Sequence, residues 1–315
     1  MTAKTPDQIA RAAVKTGETK AATGWDKTLL ASFLAGAYIS FGALVAVTIS
    51  SGMDPEIWGT LPTLFTGLAF TLGLVLVLIA GSSLLTGNML LVPISALAGR
   101  IPARDVARNL GLVLVLIAGS SLLTGNMLLV PLSAMDRRIS LVEVARNLAI
   151  VLVGNLAGAL FVAFFLAIET GVIGSVGAEP GSTAALTYER LAGIAEKKAL
   201  DESSYQVFLR ALGANWLVCL AVWMAIAADS VGSKIIAMIF PIMAFVAMGF
   251  DHVVANMFFL PAAIFAGMPG LGWDDVLRNW SFAFLGNLVG AVVFVGTTYW
   301  YLYLKDQPQD ATKAG

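Results

Sequence analysis

The chain has one cysteine and one histidine in 315 residues, and only 12% of its residues are charged. The lone cysteine, Cys219, excludes an intrachain disulfide, and no Cys/His metal cluster can be built around it. No nucleophile, base and orienting group can be drawn from one His and one Cys, so an enzyme is the least expected class. No cofactor and no metal are expected. A net charge of −1 offers no basic footprint to a nucleic acid. Soluble chains carry about 25% charged and about 45–50% apolar residues. Here 58% are hydrophobic and the mean hydropathy is +0.84, more than a soluble core of this size can hide. The composition therefore predicts an all-α polytopic membrane protein whose partner is the lipid bilayer. Its 31 glycines suit close helix packing and broken helices.

Residues 1–27 carry Lys4, Arg11, Lys15, Lys20 and Lys27 and lack the apolar core of a cleavable signal. They read as a short amphipathic helix on the membrane surface, from Pro6 to about Lys20, or as a polar tail. Residues 28–304 form the membrane domain and 305–315 a short tail. Apolar blocks fall at about 28–50, 62–97, 106–135, 142–168, 206–228, 235–266 and 279–304. Block 62–97 is interrupted by Gly81-Ser82-Ser83 and Thr86-Gly87-Asn88. Block 235–266 is interrupted by Pro241, Gly249-Phe250-Asp251-His252 and Asn256. Irregular backbone at membrane depth is tolerated only where protein or a water-filled cavity satisfies it, so two broken spans point to a pore. Lys and Arg in short loops mark the cytoplasmic side. The basic N-terminal segment, the acidic 169–205 connection, Lys234 and Lys305 fit six spans with both ends cytoplasmic, provided one block does not span.

Residues 72–96 recur at 110–134 with one difference, Ile94 against Leu132, and the repeat unit is 72–109 followed by 110–147. The offset of 38 residues is not a solenoid period, and two copies would not make one. Arg100, Arg104 and Arg108 precede the second copy, and Arg137, Arg138 and Arg146 follow it. Both clusters ask for the cytoplasm, so a single crossing by the second copy would invert every later span. Either the segment is a re-entrant hairpin turning at Gly119–Gly125, or two related copies have been spliced. The shared word LGLVLV, where such a jump would occur, favours the splice.

Ionisable groups at membrane depth are costly and face a cavity or a partner. His252 is such a group, and it follows the helix-breaking Gly249. A neutral His with a donor N–H could orient a small anion, and a charged one could hand it a proton. Asp251 could orient the ring or cap the following helix half. The Thr86 hydroxyl could bond the His or the solute. Asn215 could line the pore or bond between helices. Lys197 and Lys198 could attract anions to the mouth or be solvated. Phe70, Leu74 and Phe245 could form constrictions.

These residues resemble the formate/nitrite transporter family over nearly the whole chain. Gly17-x-x-Lys20-Ala21 resembles its N-terminal helix, and AGAYISFGALVAVT within 34–48 its first span. AFTLGLVLVLIAGSSLLTGN at 69–88 resembles its broken second span. The strings NWLVCLAVWMA from Asn215 and GFDHVVANMF from Gly249 resemble its fourth and broken fifth spans. The resemblance implies an aquaporin-like six-span protomer with two broken helices, assembled as a homopentamer in a prokaryotic inner membrane. It implies passage of small monovalent anions such as formate or nitrite, with His252 as the central pore histidine and Thr86 as its partner. Asn215, Asp251, Asn256 and Lys198 fall on pore or vestibule positions, and Phe70, Leu74 and Phe245 on constrictions. Spacing back from Thr86 to Leu74 and Phe70 makes the first copy the expected pore element. Asp251 stands where a Glu is usual, and the vestibule lysine belongs 16 residues before Asn215, at Ala199.

The expected function is a pH-dependent anion channel or transporter that exchanges a proton at His252. The rival from another class is an aquaporin-like channel for small neutral solutes. The paired Asn-Pro-Ala signature of aquaporins is absent.

Overall fold

The structure, a computed structural model, describes residues 4–80 and 121–306. Among these residues all regular structure is helical. In chain order the helices are α1 (Pro6–Ala22), α2 (Trp25–Ser50), the single turn α3 (Pro55–Trp58), α4 (Leu61–Val75) and α5 (Leu123–Met135). They continue with α6 (Leu141–Phe161), α7 (Thr183–Glu196), α8 (Ser204–Ala227), α9 (Val231–Ala247), α10 (Val253–Phe265), α11 (Trp273–Val289) and α12 (Thr298–Tyr303). Wider π turns extend α4 to Ala80, α6 to Ile168 and α7 to Asp201, and join α11 to α12.

Five of these helical stretches are long and apolar enough to cross a membrane. The 26 residues of α2 rise roughly 39 Å, more than a hydrocarbon core of about 30 Å. The shorter α5, α9 and α10 complete two interrupted spans. Pro241 lies inside α9 without breaking it; the interruption is confined to Met248–His252.

Two halves of three spans each repeat one plan: α2, α4–α5, α6 and then α8, α9–α10, α11. An odd number of spans per half makes the second half inverted. Buried asparagines show the equivalence. Asn155 on α6 accepts the Leu123 N–H at the start of α5 (2.8 Å) and donates to the carbonyls of Ser32 and Ser121. Asn287 on α11 accepts the Val253 N–H at the start of α10 (2.8 Å) and donates to the carbonyls of Ala211 and Asp251. Asn126 donates to Asn147, which donates to the Lys20 carbonyl; Asn256 donates to Asn279, which donates to the Lys198 carbonyl. A helix that starts inside a bilayer has N–H groups that water cannot reach, and these amides answer part of that need. Glycines let the backbones close up: a Cβ at Gly154 or Gly158 would overlap α2, and one at Gly286 or Gly290 would overlap α8.

The asparagines also resolve the conflict posed by the repeat. The span that α4 begins with residues of the first copy is completed by α5, from the second copy. In sequence the extra 38 residues lie between the two described halves of one span, and the later spans keep their direction. The expected turn over Gly119–Gly125 is corrected at its described end. Gly125 is helical within α5, which its neighbours' bonds to Asn155 and Asn147 hold in place. Removing residues 81–118 joins Ala80 to Gly119 and restores the sequence Ala-Gly-Ser-Ser. The shortened chain is expected to keep the fold and to unfold at an equal or higher Tm. Closing a shorter loop costs less entropy, a gain of at most roughly 2–3 kcal/mol for a change of this length. A fall in Tm would show that the removed residues hold the domain together.

Of the two readings of the N-terminus, the helix is observed, and its apolar face is covered. Ile9, Ala10, Ala13 and Val14 pack on Leu129, Leu132, Val222 and Trp223. The Ser133 hydroxyl donates to the Val14 carbonyl (2.6 Å), and Lys4 reaches the Ile226 carbonyl (2.8 Å).

Candidate functional site

Gly249 ends α9 in the left-handed region, with φ of +70°, a conformation that costs glycine little. The chain then leaves helical structure through Asp251, and His252 leads extended into α10. His252 is itself the cap of that helix: its Nδ1 accepts the Ala255 N–H (3.1 Å). A backbone N–H can only donate, so Nδ1 carries no proton, and the neutral ring must carry its proton on Nε2. That nitrogen lies 2.9 Å from the Thr124 hydroxyl and donates to it. Protonating Nδ1 would set two donors against each other, so the cap favours the neutral ring at rest. The Phe245 ring lies nearly parallel to the imidazole, at 5.9 Å between centroids. Phe70 meets Phe245 edge-on at 5.9 Å.

Neither role weighed for Asp251 is the one observed. Its Oδ1 accepts from the Lys198 ammonium (3.0 Å) and from Asn256 (2.8 Å), not from the ring or from the N-terminus of α10. Lys198 also donates to the Phe250 carbonyl (3.2 Å). The π turn over Lys197–Asp201 explains why Lys198, and not Ala199, takes this place. A π turn holds an extra residue, which shifts the register by one.

These groups open onto a cavity of about 170 Å³, whose lining includes Arg190, Lys197, Lys198, Phe70, Phe245 and His252. Arg190 on α7 crosses to the Ser50 hydroxyl (2.8 Å) and the Thr66 hydroxyl (3.0 Å). Burial pulls its pKa down, but a guanidinium stays charged at neutral pH. Three cations thus line one mouth, and aromatic rings and a neutral imidazole donor close its inner end. That arrangement can attract a small anion, strip its water and offer it a hydrogen bond.

Of the residues singled out in the sequence, the structure joins Lys198, Asp251 and Asn256 in one bonded group and sets Phe70 and Phe245 beside His252. Leu74 is buried in the core and is not part of this lining. Asn215 donates to the carbonyls of Thr124 and Asn287, bonding helix to helix, and so fixes the residue that meets His252. Thr86 lies outside the described residues; Thr124, its counterpart in the second copy, holds the imidazole. The sequence carried a signal for this. Asn126, Asn147 and Asn155 match the spacing of Asn256, Asn279 and Asn287 closely, whereas Asn88 and Asn109 are followed by Ile117 where a third Asn should stand. Arg190 was also missed. It sits seven residues, two helical turns, before Lys197 and so on the same helix face.

A family model described as Formate/nitrite transporter matches residues 7–113 and again 109–301. The two matches meet inside the duplicated segment. A probable formate transporter of Methanothermobacter thermautotrophicus is 38% identical, covering 96% of this chain and 98% of its own. A formate channel of Bacillus thuringiensis is 34% identical, covering 95% and 96%. Among solved structures, an ion channel of the same family aligns with a TM-score of 0.72 at 26% identity, covering 93% of this chain and 98% of its own. A pentameric formate channel with formate bound aligns with a TM-score of 0.63 at 28% identity, covering 89% and 98%.

Proposed function

The chain belongs to the formate/nitrite transporter family, and on that premise we propose that it carries formate, and related small monovalent anions such as nitrite, across the cytoplasmic membrane with exchange of a proton at His252. The observation that carries this reading is the neutral His252, donating from Nε2 behind the Phe70–Phe245 pair, at the end of a cavity lined by Arg190, Lys197 and Lys198. A bare anion in an apolar slit faces a desolvation barrier of many kcal/mol, and a proton removes most of it. The anion gathers at the cations and loses its water at the rings; the ring takes a proton from water at Nδ1, releasing the Ala255 N–H for that step, and gives its Nε2 proton to the anion, so it ends neutral. It crosses as the neutral acid. Both termini face the cytoplasm, and five protomers assemble, each with its own pathway.

His252→Asn tests this. Asparagine is itself a good helix cap, so α10 keeps its start while the exchangeable proton is lost. At saturating labelled formate, uptake into proteoliposomes at pH 5.5 and 7.5 is expected to lose its acid stimulation, leaving a leak whose maximal rate does not respond to pH. Acid stimulation equal to the parent's would remove His252 from the proton path.

A further inference from the structure

Glu202 is a buried ionisable group that the pathway above leaves unused. It follows the π turn of α7, just before the Ser203 cap of α8, and is 4% exposed. Arg210 Nη1 lies 2.7 Å from its Oε1 without an N–H directed at it. Beyond that ion pair no N–H or O–H is directed at either carboxyl oxygen of Glu202, and none at Oδ2 of Asp251. The two carboxyls lie within hydrogen-bonding reach of each other. Two ionised carboxylates placed so would repel and would leave Glu202 Oε2 and Asp251 Oδ2 buried with no partner. One proton between them turns Glu202 into a donor and satisfies Asp251.

We propose that Glu202 holds a proton against Oδ2 of Asp251, and that by losing it Glu202 lowers by one the positive charge that draws anions to this mouth. Every charged group facing the pair enters the count. Lys198 and Asp251 pair directly, Arg210 flanks Glu202, and Arg278 donates to the Glu202 and Ala199 carbonyls. Lys197, whose carbonyl accepts the Glu202 N–H, lines the cavity. With the proton in place, Lys198 and Arg210 outweigh Asp251 by one charge. Without it these four groups cancel, and only Lys197, Arg190 and Arg278 remain to attract an anion. Burial first, and then the Asp251 charge, raise the Glu202 pKa to about 7, against the pull of Lys198 and Arg210. The switch therefore works around neutral pH. A unit charge about 8 Å from an anion in a partly buried site changes its occupancy on the order of tenfold.

This role rests on the transport reading, so the test has one arm that does not need transport. In pH-difference infrared spectra of the purified full chain, the carbonyl band of a protonated carboxyl should disappear as pH rises through neutrality. In Glu202→Gln that band should be missing. In proteoliposomes the half-saturating formate concentration should rise on the order of tenfold between pH 6 and 8 in the parent. It should stay constant in Glu202→Gln, whose amide remains a neutral donor to Asp251. Absence of a titrating carboxyl in the parent would overturn the proposal, and so would a parent-like shift of half-saturation in Glu202→Gln. If the parent took up no formate at any pH, the transport reading would fall. The infrared band and its loss in Glu202→Gln would then still uphold, or by their absence overturn, the shared proton.

Discussion

Thr124→Val is expected to lower acid-stimulated formate uptake by about five- to a hundredfold, while Thr86→Val leaves it unchanged. Valine has the shape of threonine without the hydroxyl. The His252 N–H would then be buried with no acceptor, a loss of about 1–3 kcal/mol. Each 1.4 kcal/mol is a factor of about ten, so the expected range runs from several-fold to roughly a hundredfold. The ring would also lose the partner that holds it flat against Phe245. Thr86 has the same local sequence, but the place beside His252 is already filled by Thr124. Uptake assays on the two variants, each confirmed as a folded oligomer, decide the matter. The reverse pattern would mean that the first copy lines the pathway.

The second large effect concerns stability. Lys198→Met should destabilise the fold by about 3–5 kcal/mol, the usual cost of leaving one member of a buried ion pair without its partner. Asp251 is fully buried, and its Oδ1 depends on Lys198 and Asn256. The double variant Lys198→Met with Asp251→Asn should recover most of the loss, because the uncompensated charge is then gone. Unfolding of the purified protein measures both. A single substitution costing under about 1 kcal/mol would show that water shares the site and that the pair behaves as an exposed one.

Much of the architecture was open to reading because bilayer chemistry restricts it. Runs of about 20 apolar residues must be helices, and polar breaks within them must face protein or a cavity. The breaks at Gly249 and after α4 were visible for that reason. Pro241 misled, since a membrane helix can run through a proline when neighbours satisfy the freed carbonyl. The bonded group of Lys198, Asp251 and Asn256 was legible only as three separate polar residues. The one-residue offset of Lys198 looked like a mismatch until the π turn accounted for it. Arg190 and Glu202 sit on the acidic 169–205 connection, where charge is ordinary and no motif marks them.

The sequence by itself determined that the chain is a helical membrane protein, that a lone His252 sits in a broken span, and that the strings around it belong to one transporter family. Composition and apolar length suffice for this because the cost of exposing a backbone to lipid does not depend on the neighbours. The tertiary structure alone decided which threonine meets the histidine, which ring nitrogen holds the proton, and what the carboxyl of Asp251 binds. Two copies of one segment have the same propensities, and only distant partners can tell them apart. Asn147 and Asn155 grip the start of α5, Ala255 takes up Nδ1, and Glu202 comes to face Asp251 from the link between α7 and α8.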